Sequence, residues 1–369
     1  MRKFLISAVS IVAIAAMMLS AFAIPVEATG DTSFDISYTL KGKNYNVHFD
    51  GPVDKVIVFG YAACLTVLDT GKVDKLYACD KYGDDAFTEK GMTKSCQSIA
   101  NLSGTNVEAI KTKIVQAKDA GEITFGSAII LTTMTSAAES VINELAPLGF
   151  NHIVFYGSMS EYADIIQCVK EIELIVGSEA NLHQTMQNKC NDVAEKVKDA
   201  PKKDAIFIWY STSSGWGYGN TGSLGVTMIN AGGGNNIGYT EGSSTGIIYD
   251  QSAIVQKLGA SPDCLIFLDD AYVRSYGGSV DKFVEEVMGG SLGNHWLVVM
   301  EHAWNNYDPE SADGLIAMAS ALHPDLVESD VKIYKNVESK DNTLIYVGIG
   351  IGGAVLAVGL IFVLLRMRK

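Results

Sequence analysis

Apolar and polar positions alternate in short blocks along most of this chain. Residues 56–59 are an apolar, β-branched run closed by Gly60, the pattern of a buried strand and its turn. Residues 61–70 continue at helical spacing, with Ala62, Leu65, Val67 and Leu68 on the apolar positions and Gly71 as the stop. A second short strand is expected over 75–78, followed by a polar loop over 80–85. Further buried strands are expected at 128–131 and 152–155, separated by a helix at 137–145 that stops before Pro147 and Gly149. Strands alternating with helices imply a parallel sheet with crossover helices.

The pattern changes at residue 160. From there to 197 the chain has no proline and one glycine, Gly177, with Ile165, Val169, Ile172, Ile175, Val176, Leu182 and Met186 at helical spacing. This predicts one long helix with its weak point at Gly177. After Pro201 the alternation resumes with strands at 205–209, 264–268 and 296–299. Helices are expected at 222–231, 280–288 and 311–322. The expected fold is α/β: two α/β lobes (24–158 and 201–327), each with a mainly parallel sheet, joined by one long helix (159–200). A polar linker (328–342) follows.

The two ends carry their own signals. Arg2 and Lys3 precede an apolar run and then Ala21-Phe22-Ala23, so residues 1–23 read as a signal peptide. Residues 343–365 are uncharged and long enough for a transmembrane helix. The basic tail 366–369 would keep the C-terminus cytoplasmic. These ends predict a single-pass protein of the cell membrane, held through its C-terminal helix, with its large domain extracellular.

Composition narrows the function by exclusion. The 369-residue chain carries a formal charge of −14, which argues against nucleic acid and anionic lipid surfaces as partners. Six cysteines (Cys64, Cys79, Cys96, Cys168, Cys190, Cys264) admit disulfides in an exported chain, with the pairing left open. No CxxC spacing suggests zinc. The six histidines are scattered, and no HExxH, G-x-S-x-G or spaced carboxylate pair is present, so no enzyme, metal site or cofactor is expected. The loop 211–225 holds five glycines without the Gly-Lys-Ser/Thr step of a nucleotide site, and suits a ligand-wrapping flap.

Three stretches, in this order and spacing, carry a family resemblance. They are VDKVIVFGYAACLTVLDTGKVDKLYACDKYG (53–83), SLGVTMINAGGGNNI (223–237) and GLIAMASALHPDLV (314–327). With the two-lobed pattern, the chain resembles the helix-linked substrate-binding proteins of ABC importers for iron-siderophore, haem and cobalamin. The resemblance implies a cleft that takes a small-molecule metal chelate or tetrapyrrole. It also implies delivery of that ligand to an ABC permease with its ATPase. The family docks on its permease through one acidic residue per lobe. Glu108, in Asn106-Val107-Glu108-Ala109-Ile110, matches the first. Ser252 stands at the second position, with Asp250 or Glu241 as replacements nearby.

The strand ends independently suggest such a cleft, because ligands of open α/β sheets bind beyond the carboxyl ends of strands. Tyr61, Tyr82, Thr132, Thr133 and Tyr156 follow the first-lobe strands. Tyr210, Trp216, Tyr218, Tyr272, Arg274 and Trp304 follow those of the second. Rigid amphipathic rings suit flat or macrocyclic ligands, and Arg274 would meet a carboxylate or anionic chelate. A competing reading is a surface sensory or interaction protein that keeps the binding fold without transport.

Overall fold

The computed structural model describes residues 32–335 and 345–347. The described residues open with a hairpin that the sequence pattern above passed over. Phe34–Leu40 (β1) and Lys43–Phe49 (β2) pair antiparallel around Lys41-Gly42, at φ 49° and 77°. Alternation along β1 turns Ile36 and Leu40 inward, each 1% exposed.

Val56–Val58 (β3), Tyr61–Asp69 (α1), Leu76–Cys79 (β4), Lys81–Glu89 (α2), Gln97–Ser98 (β5), Val107–Asp119 (α3), Ala128–Thr132 (β6), Thr135–Leu145 (α4) and Ile153–Tyr156 (β7) complete the first lobe. Its sheet runs β5-β4-β3-β6-β7 with all pairs parallel. Successive residues face opposite layers: Val56, Val58 and Ile130 enter one core, Ile57, Ile129 and Leu131 the other. Being buried on both faces explains why these strands read as unbroken apolar runs. The hairpin shields the β7 edge, where Tyr38 Oη donates to the Ile153 carbonyl at 3.0 Å. The expected loop at 80–85 is instead the start of α2. Asp80 caps it by accepting from Gly83 N at 3.2 Å.

The link between the lobes breaks at the expected weak point, Gly177. It is two helices, Tyr162–Val176 (α5) and Leu182–Val197 (α6), in place of one long helix. Gly177 ends α5 in the left-handed region (φ 63°, ψ 47°), and Asn181 takes the same region before α6. The Glu173 carboxylate, 3% exposed, accepts from the N–H groups of Leu182 (2.7 Å) and His183 (3.2 Å). It thereby satisfies amide groups that the start of α6 leaves unpaired, and fixes the turn.

The second lobe contains Lys203–Ser211 (β8), Gly215–Gly219 (β9), Leu224–Ala231 (α7), Gly234–Asn236 (β10), Ile247–Ile248 (β11), Gln251–Ala260 (α8), Leu265–Leu268 (β12), Ala271–Tyr276 (α9), Val280–Met288 (α10), Trp296–Val299 (β13), Ser311–Leu322 (α11), Ile333–Lys335 (β14) and Ile345–Val347 (β15). Its sheet runs β11-β9-β8-β12-β13-β14-β15, with β10 also on β8. Contrary to the expected mainly parallel sheet, it is mixed. The β8–β12, β12–β13 and β10–β8 pairs are parallel, and the remainder antiparallel. The glycine-rich stretch expected as a flap supplies β9, which folds straight back on β8, the arrangement a tight turn permits.

The membrane placement is corrected here. Ile345–Val347, inside the expected span, is a strand paired with Ile333–Lys335, and no helix among the described residues is long and apolar enough to cross a membrane. β-branched and aromatic residue types at 345–347 suit addition to a sheet edge. A single-pass protein of the cell membrane, with the membrane as partner through a C-terminal helix, is overturned on these findings. The expected signal peptide (1–23) and basic tail (366–369) lie outside the described residues.

Gly177→Ala tests the bent link. A Cβ there would sit 2.8 Å from Pro52 Cβ, on a backbone that L-residues disfavour. The substitution is expected to cost about 1–3 kcal/mol, read as a lower urea midpoint at unchanged slope. An unaltered midpoint would show that the turn relaxes freely.

Candidate ligand cleft between the lobes

In the first sheet, β4 and β6 leave β3 on opposite sides, so the chain reverses its order between β3 and β6. That switch point opens a crevice at the carboxyl ends of the strands. Gly60 stands there at φ 104°, and a Cβ on it would lie 2.1 Å from Thr132 Oγ1, which donates to the Phe59 carbonyl at 2.7 Å. Gly60 N donates to Asp80 Oδ1 at 3.1 Å. The Asp80 carboxyl is 2% exposed; burial pushes its pKa up while four backbone N–H groups, Gly60's first, oppose the rise. Thr133 holds the left-handed region at φ 55°, pinned by its N–H to the Tyr156 carbonyl at 2.9 Å. Strain of this kind is kept where surroundings over-determine it, commonly at ligand sites.

The second lobe faces this floor with a charged cluster. Arg274, in α9, donates through Nε to Asp270 Oδ2 and through Nη2 to His302 Nδ1, each at 2.9 Å. A guanidinium only donates, so the His302 nitrogen it meets must accept. The His302 ring lies 4.3 Å from the Tyr61 ring, centroid to centroid, and brings the two lobes into contact. Beside it Asp269 accepts from Ala271 N (2.8 Å) and Asn305 Nδ2 (2.9 Å). Burial pushes its pKa up, and the Ala271 amide partly counters this.

Between these groups lies a cavity of about 390 Å³, lined among others by Tyr61, Tyr82, Thr133, Tyr156, Arg274 and His302. A second, wider hollow of about 690 Å³ adjoins it through His302, Asn306 and Tyr307, and reaches Trp209, Tyr210, Tyr249 and Tyr276. Six residues singled out from sequence, Tyr61, Tyr82, Thr132, Thr133, Tyr156 and Arg274, thus share one hollow, and Tyr210 lines the adjoining one. Four others lie elsewhere. Trp216, Tyr218 and Tyr272 are 5%, 2% and 4% exposed, in the core on the far face of the second sheet. Trp304 packs against the helical core behind the cleft. Strand-end position did not reveal side-chain direction: β9 doubles back, which turns Trp216 against Phe283 and away from the opening.

His302 and Tyr307 were missed as lining residues. They belong to the segment after β13, where a single helical turn at Ala303–Asn305 carries no periodic signal. Of the proposed docking acids, Glu108 stands in the first turn of α3 with its side chain 77% exposed. Asp250 caps α8, accepting from Ala253 N at 3.0 Å.

A partly buried ionic layer backs the cleft. Asp308 is fully buried; its Oδ1 accepts from Glu310 N at 2.9 Å, while Oδ2 has no hydrogen-bond partner among the described residues. Burial, reinforced by the Glu310 charge, pushes its pKa well above the carboxylate range. Tyr61 Oη is likewise buried and unpartnered, and its pKa is raised by burial and then by Asp308. Lys90, at the end of α2, reaches Asp69 at 2.6 Å and, across the lobes, Glu310. Burial would lower the Lys90 pKa, but its bonds to the two carboxylates prevail and raise it.

Two α/β lobes bridged by helices, with a cleft across the carboxyl ends of both sheets, form the fold of the helix-linked substrate-binding proteins. No family model matches the sequence, and no curated protein does. Solved structures do. Helicobacter pylori CeuE in its Ni-His complex is 12% identical, with TM-score 0.57, over 79% of this chain and 90% of that one. The apo periplasmic heme-binding protein RhuT from Roseiflexus sp. RS-1 gives 12%, 0.57, 74% and 98%. An ABC-type Fe3+-hydroxamate transport structure from Saccharomonospora viridis gives 16%, 0.50, 79% and 98%. These neighbours match the family that the sequence resembles, and the likeness establishes the fold.

The buried acid yields a pH prediction. A carboxyl whose folded pKa is raised contributes stability in full below its unfolded value, about pH 4, and loses it as pH climbs through the folded value. Asp308→Asn keeps the oxygen that accepts from Glu310 N. Relative to the parent it is expected to gain up to about 1.4 kcal/mol per pH unit above pH 4, until the folded pKa is passed. Urea unfolding from pH 4 to 8 measures this; parallel curves for the two proteins would show that Asp308 ionises normally.

Proposed function

We propose that the cleft captures a small metal chelate or tetrapyrrole, of the iron-siderophore, haem or cobalamin kind, and hands it to an ABC permease with its ATPase. The observation that carries this reading is the hollow at the carboxyl ends of both sheets, walled by Tyr61, Tyr82, Tyr156 and Tyr307 with Arg274 and His302 at its side. Rings offer wide contact at small entropic cost, as a flat or macrocyclic ligand needs. Arg274 already serves Asp270 and His302, so a ligand anion would compete for a partly neutralised charge. This favours a ligand of low net charge. Solved structures of the same fold hold Ni-His or are named for heme and Fe3+-hydroxamate, in keeping with this class.

The test is tryptophan-fluorescence titration of the purified protein with cobalamin, haem, a ferric hydroxamate and Ni-His. One class is expected to saturate at submicromolar concentration. Tyr82→Ala should then weaken binding about fivefold or more, and Arg274→Ala about tenfold for a ligand that carries a carboxylate. Unchanged affinity in both variants would remove the cleft as the binding site.

Delivery is proposed to use Glu108 on the first lobe and Asp250 on the second, both acidic and outward-facing. Charge reversal at Glu108 should leave ligand affinity unaltered and lower ligand-stimulated ATP hydrolysis by the reconstituted transporter about tenfold. Full stimulation by Glu108→Arg would exclude that contact.

A further inference from the structure

Three thiols converge beneath α2. Cys64 lies in α1, Cys79 ends β4 and Cys96 precedes β5. The sulfurs of Cys79 and Cys96 are 3.4 Å apart, and Cys64 Sγ donates to the Gly83 carbonyl at 3.7 Å. Gly83 makes room for them: a Cβ there would lie 2.8 Å from Cys79 Sγ and 3.1 Å from Cys64 Sγ. Cys64 and Cys79 are fully buried, whereas Cys96 is half-buried, near Lys94, which pairs with Asp84 at 2.5 Å.

We propose that Cys79 and Cys96 form a reversible disulfide that closes the segment 79–96, made by exchange with a small-molecule disulfide that enters at Cys96. The Cys96 thiolate attacks one sulfur of the reagent and releases a first thiol. Cys79 then attacks the Cys96 sulfur and expels the second. Two protein thiols are oxidised and the reagent disulfide is reduced to two thiols, so electrons and protons balance. Sulfurs in van der Waals contact need only small side-chain rotations to reach bonding distance, about 2.05 Å.

The surroundings suit a lasting cross-link better than a catalytic dithiol. Catalytic pairs stabilise a thiolate, which favours their reduced form. Here the neighbouring Cys64 thiol raises the Cys79 pKa, and the Cys79 thiol followed by burial raises that of Cys96. The reduced pair therefore gains nothing from ionisation, and exchange, which runs through the scarce Cys96 thiolate, is slow and quickens as pH rises. The segment enclosed is the one that the cleft uses. Tyr82 and Asp85 line the hollow, and Lys90 reaches Glu310 on the other lobe. The bond would tie the start and end of that segment together whatever ligand the cleft takes.

The experiment equilibrates the full folded chain with oxidised glutathione, quenches exchange with acid, alkylates the remaining thiols in denaturant, and maps peptides by mass spectrometry without reduction. The expected result is a Cys79–Cys96 link with the other four thiols alkylated, and a Tm raised by about 5 °C that dithiothreitol reverses. Cys79→Ser and Cys96→Ser should abolish link and Tm gain, while Cys190→Ser retains both. Six alkylated thiols, a lasting glutathione adduct on Cys96, or a Cys64–Cys79 link in the parent chain would each overturn the proposal. The peptide map of the parent protein decides even if a variant fails to fold.

Discussion

Helix α5 belongs to two hydrophobic cores at once. Its first turns, Tyr162, Ile165, Ile166 and Val169, pack with the second lobe, and its last turns, Ile172, Ile175 and Val176, with the first. Tyr162 Oη also donates to the Ser311 carbonyl at 2.9 Å, at the head of α11. Each large buried aliphatic side chain contributes about 1.5–3 kcal/mol, so neither half of the helix can leave its core cheaply. Displacing one lobe against the other must shear one of these cores. After Gly177 the chain turns back, and α6 adds Met186, Val193 and Val197 to the second lobe. The cleft lies between two bodies held by a shared, close-packed part, which keeps Tyr61 and His302 in register across it.

Much of this was legible in the sequence, for identifiable reasons. Strands buried on both faces leave apolar runs, which is why β6, β7, β12 and β13 stand out, and glycine stops bound α1 and α4. Other elements were hidden by competing signals. The hairpin β1–β2 alternates apolar and polar residues around Lys41-Gly42, but its strands hold many polar residues and read as a solvated lead-in. Helix α2 is capped by Asp80 and contains Gly83, which suggests a loop until the cap is seen to accept from Gly83 N. The link at 160–197 has the periodicity of one helix. The left-handed Gly177 and Asn181 and the Glu173 cap on α6 divide it.

The cleft was half legible for a related reason. Position after a strand identifies which end of the sheet a residue occupies, and for the parallel first sheet that sufficed for Tyr61, Tyr82, Thr133 and Tyr156. The second sheet is mixed, and an antiparallel return reverses which end a residue occupies. Trp216 and Tyr218 on β9 became core, whereas His302 and Tyr307, on an irregular segment without periodicity, took the wall. A periodic pattern reports burial; it cannot report the direction of a side chain on a strand whose partner is not yet known.

Lys90 gives the contact between the lobes a character that the shared helix lacks. Its side chain is 25% exposed, and the Asp69 and Glu310 side chains 17% and 28%, so solvent ions reach all three. Mobile ions screen such a triad as ionic strength rises, with the Debye length falling from about 10 Å at 0.1 M to about 3 Å at 1 M, while apolar contacts are untouched by screening. The molecule therefore has two joints of different material. The apolar one, through the shared helix, is not screened by salt, and the ionic one softens as salt rises, so that ionic strength loosens the Lys90–Glu310 tie between the lobes and leaves the helix they share in place.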